Sequence, residues 1–110
     1  MTSPDPVVLA LTTLPADADA GAFVRALLDA RAVACGTLLS GGRSVYRWQG
    51  QVEEATETVV LLKTTRGQVP LLREHMVSLH PYEVPELLIL PCDDGFPAYL
   101  DWVRAEVAPG

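Results

Sequence analysis

The sequence is poor in cysteine, in histidine and in positive charge. Two cysteines, Cys35 and Cys92, are too few for a disulfide scaffold, and a chain of 110 residues can bury a core without one. They suit free thiols in a reducing compartment, and the sequence leaves a Cys35–Cys92 bridge open. No CxxC, HxH or HExxH pattern occurs, which argues against a closed structural zinc centre within one chain. Eight Lys and Arg against fourteen Asp and Glu give a net charge of −6, with no basic stripe, so a nucleic acid is not the expected partner. The apolar runs fall far short of the ~18 residues of a membrane span. Met1–Pro6 lacks the basic start of a signal peptide, so a cytoplasmic location is expected. Gly41-Gly42 has neither the Lys-Ser/Thr nor the GxGxxG context of a phosphate loop.

What is present reads as one domain over 7–110, behind a flexible leader at 1–6 that carries two prolines. Val7-Val8-Leu9-Ala10-Leu11 reads as a buried strand. Residues 18–32 form an amphipathic helix, with Phe23, Leu27 and Ala30 on one face and Asp17 and Asp19 placed to cap it. A second strand starts near Cys35, is bent or bulged at Gly41-Gly42, and resumes through Ser44–Trp48. Gln49-Gly50-Gln51 turns it into a return strand from Val52 to Thr65. A helix then runs from Gly67 to His80, with Pro70 in its first turn and Leu72, Met76 and Leu79 as its stripe. Leu87–Leu90 is a strand, and 96–104 is a short final helix.

Between that second helix and the last strand lies His80-Pro81-Tyr82-Glu83-Val84-Pro85-Glu86. Two prolines stiffen its backbone and keep His80 and Val84 out of the helical region. An imidazole, a phenol and two carboxylates are held on that stiff frame. The segment connects a helix to a strand, and it also has the makings of a site.

The element order β-α-β-β-α-β plus a terminal helix is the α+β, ferredoxin-like arrangement: one antiparallel sheet with two helices on one face. The other face carries runs such as Val59–Leu62. It is too apolar for water, which predicts a homo-oligomer.

Several stretches resemble the CutA family of divalent-ion tolerance proteins. They are Thr12-Thr13, Ala34-Cys35, Ser44-Val45-Tyr46-Arg47-Trp48-Gln49-Gly50, Leu62-Lys63-Thr64, the His80–Glu86 segment, and Gly95 with Tyr99-Leu100-Asp101-Trp102. The resemblance implies a PII-like homotrimer, binding of copper or another divalent cation, and a role in metal tolerance. The family commonly follows its Ala-Cys with Val-Asn, where this chain has Gly36-Thr37.

On this reading the candidate metal residues are Cys35, His80, Glu83 and Glu86. Thiolate and imidazole suit copper and zinc, and the carboxylates can ligate or orient the imidazole. Set against this, Cys35 also reads as a small buried hydrophobe, and His80 as a structural histidine at a helix end. Tyr46, Trp48, Lys63 and Tyr82 are expected to line a cleft between subunits, either as interface residues or around a small polar ligand. The expectation is a non-enzymatic, trimeric, metal-responsive protein whose partners are itself and divalent ions, with neither nucleic acid nor membrane. The alternatives are a PII-like small-ligand sensor and a scaffold that binds another protein through the cleft.

Overall fold

The computed structural model describes residues 3–109 and contains four strands and three helices in the order expected. They are β1 (Val7–Pro15), α1 (Ala20–Asp29), β2 (Cys35–Trp48), β3 (Gln51–Thr65), α2 (Val69–Leu79), β4 (Leu88–Pro91) and α3 (Pro97–Val107). The sheet order is β2-β3-β1-β4, and every pair is antiparallel.

Local chemistry sets the boundaries. Helix α1 is shorter than the 18–32 expected. Asp19 is its cap, accepting the Ala22 N–H at 3.0 Å, and Arg31 enters the left-handed region at φ 57° just past its end. The Gly41-Gly42 irregularity is a register shift between Leu39 and Gly42, with Gly41 at φ 78°. The hairpin turns at Gln49-Gly50, both with positive φ, as a two-residue turn of this hand requires. Helix α2 follows a 3₁₀ turn at Arg66–Gln68 and ends at His80, whose extended backbone (ψ 134°) is what the following proline demands.

The main core lies between the sheet and α1/α2. Val60, Leu62 and Ala10 from the strands meet Phe23, Val24, Leu27, Leu72 and Met76 from the helices. Leu79, expected in the α2 stripe, is 37% exposed instead. Directly paired residues share a face, so Leu9, Leu11, Val59 and Leu61 point the other way. One end of that opposite face is not open as expected. Helix α3 lies across it, packing Val103 and Val107 on Val7 and Ala34. Three polar contacts hold α3 there. Arg31 donates to the Glu106 carbonyl at 2.7 Å, Arg104 to the Asp5 carbonyl at 2.8 Å, and Gln68 to the Val107 carbonyl at 3.5 Å.

Beyond α3 the face remains bare. Leu39 and Leu88 are about half exposed there, at 52% and 54%. The hairpin projects further, which gives the molecule a long axis of 52 Å against 26 and 22 Å across. Of the expected leader, Met1 and Thr2 lie outside the described residues. Asp5 and Pro6 are tethered: Gly67 N–H donates to the Asp5 carboxylate at 3.0 Å and Arg66 N–H to the Pro6 carbonyl at 2.8 Å.

Candidate functional site

The fold separates most of the candidate residues into two groups, one toward each end of β1. The first is built on β1, β3 and the segment after α2. His80 is buried, and both of its ring nitrogens are engaged. Nε2–H donates to the Thr13 carbonyl at 2.8 Å, with the Thr12 hydroxyl at 3.3 Å. Nδ1 accepts the Tyr82 N–H at 3.1 Å, which assigns the ring proton to Nε2. The ring also stands nearly perpendicular to Phe23, with the centroids 5.9 Å apart. His80 thus ties the start of the Pro-rich segment to β1.

Tyr82 extends this network. Its hydroxyl donates to the Glu57 carboxylate at 2.7 Å. Burial works to raise the Glu57 carboxyl, but hydrogen bonds from Ser44, Tyr82 and Thr13 outweigh it, and the group sits below its ordinary value. Tyr82 is pushed up to about 12, by burial first and then by the Glu57 bond and charge. Glu83 and Glu86 lie on the same segment, three residues apart and exposed, and neither makes a side-chain hydrogen bond or ion pair among the described residues.

The second group lies under α3. Cys35 is paired directly with Lys63 across β2 and β3, and its Sγ is 3.5 Å from the Tyr99 hydroxyl. The Lys63 ammonium donates to the Thr37 hydroxyl at 2.6 Å. Tyr99 is pushed up to about 12 by its hydrogen bond with Cys35 first, then by burial and by the nearby Cys35 and Cys92 side chains. Cys35 and Cys92 are both free. Cys35 pairs with Lys63, Lys63 with Leu9 and Leu9 with Leu90, which puts roughly 14 Å of sheet between the two cysteine strands. A disulfide needs Cα atoms within about 7 Å, so this fold does not permit the bridge that the sequence left open.

Glu57 and Lys63 are six residues apart on β3, roughly 20 Å along the strand. The four candidate metal residues are therefore not gathered into one centre. Among the described residues, no group of three or more His, Cys, Asp or Glu is placed to hold a metal ion. Tyr46 and Trp48 are 44% and 60% exposed on the projecting hairpin, away from Lys63. A groove of about 320 Å³ beside His80 is lined by Leu14, Phe23, Leu79 and Pro81. It is largely apolar, and the one carboxylate on it, Asp19, is engaged in capping α1.

Sequence reasoning missed Glu57 and the role of Thr13, and it marked Thr37 as a departure from the family without finding its partner, Lys63. The register places Glu57 on the same face as Val59 and Leu61, two and four residues on. That parity was readable as a carboxylate on an apolar face. Its bond to Tyr82, 25 residues away, was not.

A family model described as CutA1 divalent ion tolerance protein matches residues 8–106. The chain belongs to that family. The divalent-cation tolerance protein CutA of Thermus thermophilus is 44% identical over 94 residues, covering 86% of this chain and 91% of its own length. The protein of the same name from Pectobacterium atrosepticum is 41% identical over 100 residues, covering 91% of each chain. The crystal structure of divalent ion tolerance protein CutA1 from Ehrlichia chaffeensis superposes with a TM-score of 0.90 at 28% identity, covering 97% of this chain and 100% of that one. The four-stranded antiparallel sheet and three helices are thus the architecture of solved CutA proteins.

Proposed function

We propose that this protein acts in tolerance to divalent cations, copper among them, as a non-enzymatic cytoplasmic homotrimer that binds cations transiently rather than in a closed centre. Membership of the CutA1 family over nearly the whole chain carries the cation part of this reading. The bare face at Leu11, Val59, Leu61 and Leu88 supports the assembly, because apolar surface of this kind is covered in a stable protein.

Of the four candidate ligands, only Glu83 and Glu86 present groups without a hydrogen-bond or ion-pair partner among the described residues. His80 would have to give up its bond to Thr13 or to Tyr82 before ligating. Cys35 would bind a cation opposite the Lys63 ammonium, which opposes it. We therefore assign first contact with the cation to Glu83 and Glu86, with further ligands supplied by another copy of the chain. An enzymatic pairing of Cys35 with His80 is disfavoured by the same geometry, since the imidazole is bonded into the far end of the sheet.

Calorimetric titration with Cu(II) and Zn(II), with light scattering alongside, tests this. The wild-type trimer should show saturable binding. Glu83→Gln with Glu86→Gln should weaken it at least about tenfold, whereas Cys35→Ser should leave it within about twofold. Unchanged binding in the double variant, or loss in Cys35→Ser alone, would overturn the assignment.

A further inference from the structure

The last turns of α1 and α3 share the wall of a cavity of about 310 Å³. Leu28 and Asp29 come from α1, Glu106 from α3, and Arg31, Val33 and Ala34 from the connection into β2. Val33 and Ala34 are buried and Leu28 is partly exposed, so the floor is hydrocarbon. The volume matches the smallest ligand pockets, which start near ~300 Å³. None of the six residues belongs to the bare face at Leu11, Val59, Leu61 and Leu88, so assembly through that face does not cover the cavity.

Three charged side chains line this floor without neutralising one another. Among the described residues the ion pairs are Arg43–Glu54 and Arg104–Asp101, and the carboxylates of Asp29 and Glu106 accept no hydrogen bond. Arg31 has five N–H donors, and its one hydrogen bond from the guanidinium goes to the Glu106 carbonyl at 2.7 Å. Its backbone is fixed as well. At φ 57° it holds a conformation that glycine would adopt without strain, with its carbonyl bonded to the Gln68 amide at 2.7 Å and its N–H to the Leu28 carbonyl at 3.0 Å. A guanidinium with donors to spare suits a carboxylate. Two carboxylates at the negative ends of two helices suit an ammonium. A plain amine would be repelled by Arg31, and a plain acid by Asp29 and Glu106. A molecule with both charges on one carbon meets all three, and a short aliphatic body covers Leu28 and Val33. We infer that this cavity is a site for a free α-amino acid with an aliphatic side chain, its carboxylate on Arg31 and its ammonium toward Asp29 and Glu106. The inference rests on the fold and not on the cation reading, so the two can fail separately.

The test uses the full chain with L-leucine as the probe, by calorimetry and by amide chemical shifts. The controls are 3-methylbutylamine, which lacks the carboxylate, and 4-methylpentanoate, which lacks the ammonium. Leucine should bind saturably to the wild type, the amine about tenfold more weakly, and the acid should not saturate. Arg31→Gly suits the local backbone and should bind leucine only as the wild type binds the amine. Asp29→Asn with Glu106→Gln should weaken leucine about tenfold or more. That double variant leaves the Arg31 bond to the Glu106 carbonyl in place, so it tests the site even where Arg31→Gly loosens α3. The inference is overturned if leucine does not saturate on the folded wild type, if either control binds as well as leucine, or if the double variant binds leucine as the wild type does.

Discussion

His80→Ala separates a structural imidazole from a ligating one. The substitution removes the Nε2–H bond to the Thr13 carbonyl at 2.8 Å and strips the Tyr82 N–H of its acceptor at 3.1 Å. A buried group left without its hydrogen bond costs about 1–3 kcal/mol. The Thr13 carbonyl is walled in and should bear that cost, while the Tyr82 N–H is nearer solvent and regains water. Removing the ring also empties the space against Phe23, and an aromatic-to-Ala change in a core costs about 3–5 kcal/mol, with imidazole toward the low end. These losses overlap, and the expected destabilisation is about 3–5 kcal/mol, large for one residue. Chemical denaturation at matched protomer concentration measures it, because the stability of the proposed oligomer depends on concentration. His80→Gln, whose amide can donate toward Thr13, should recover about half. The reasoning is refuted if His80→Ala unfolds within about 0.5 kcal/mol of wild type while its affinity for Cu(II) falls about tenfold.

Further predictions follow from the same contacts. A lowered carboxyl value in the folded state stabilises above the unfolded value and loses that contribution as pH falls through the folded one. The stability difference between wild type and Glu57→Gln should therefore be constant above about pH 5 and shrink below it, as read by denaturation across pH. Restoring the commoner family residue with Gly36→Val should destabilise by about 1–3 kcal/mol. A Cβ there would meet Val24 at 2.9 Å and Leu62 at 3.0 Å, so these side chains already fill the space. Arg31→Ala should cost about 1 kcal/mol and speed amide exchange in the last turn of α3, whose Glu106 carbonyl loses its donor.

Much of the fold was legible because its signals are local. The glycine pair marks the bulge, Gln49-Gly50 marks the turn, and Pro81 stops α2 at His80. The position of α3 was not, because Tyr99 and Val103 define a stripe without saying which face of the sheet it meets. That choice depends on Arg31, Gln68 and Arg104 reaching carbonyls far away in sequence. In the site, residue types were readable and their partners were not. The His80–Glu86 segment reads equally as ligand or as brace until the Thr13 carbonyl occupies the imidazole. Lys63 and Tyr82, grouped by chemistry in the sequence, are held apart, since Tyr82 bonds to Glu57, six residues from Lys63 along β3, and any cleft holding both must take them from different copies.

The central claim is that cation binding belongs to the assembled protein. Leu61→Glu places a charge in the middle of the bare face and should give a folded monomer. Titrating Cu(II) into that variant and into wild type at equal protomer concentration, with mass read in the same solutions, is the most direct test. The account predicts saturable binding to the wild type, as the proposed trimer, and none to the monomer. Equal affinity for both would contradict it and place the cation within a single chain.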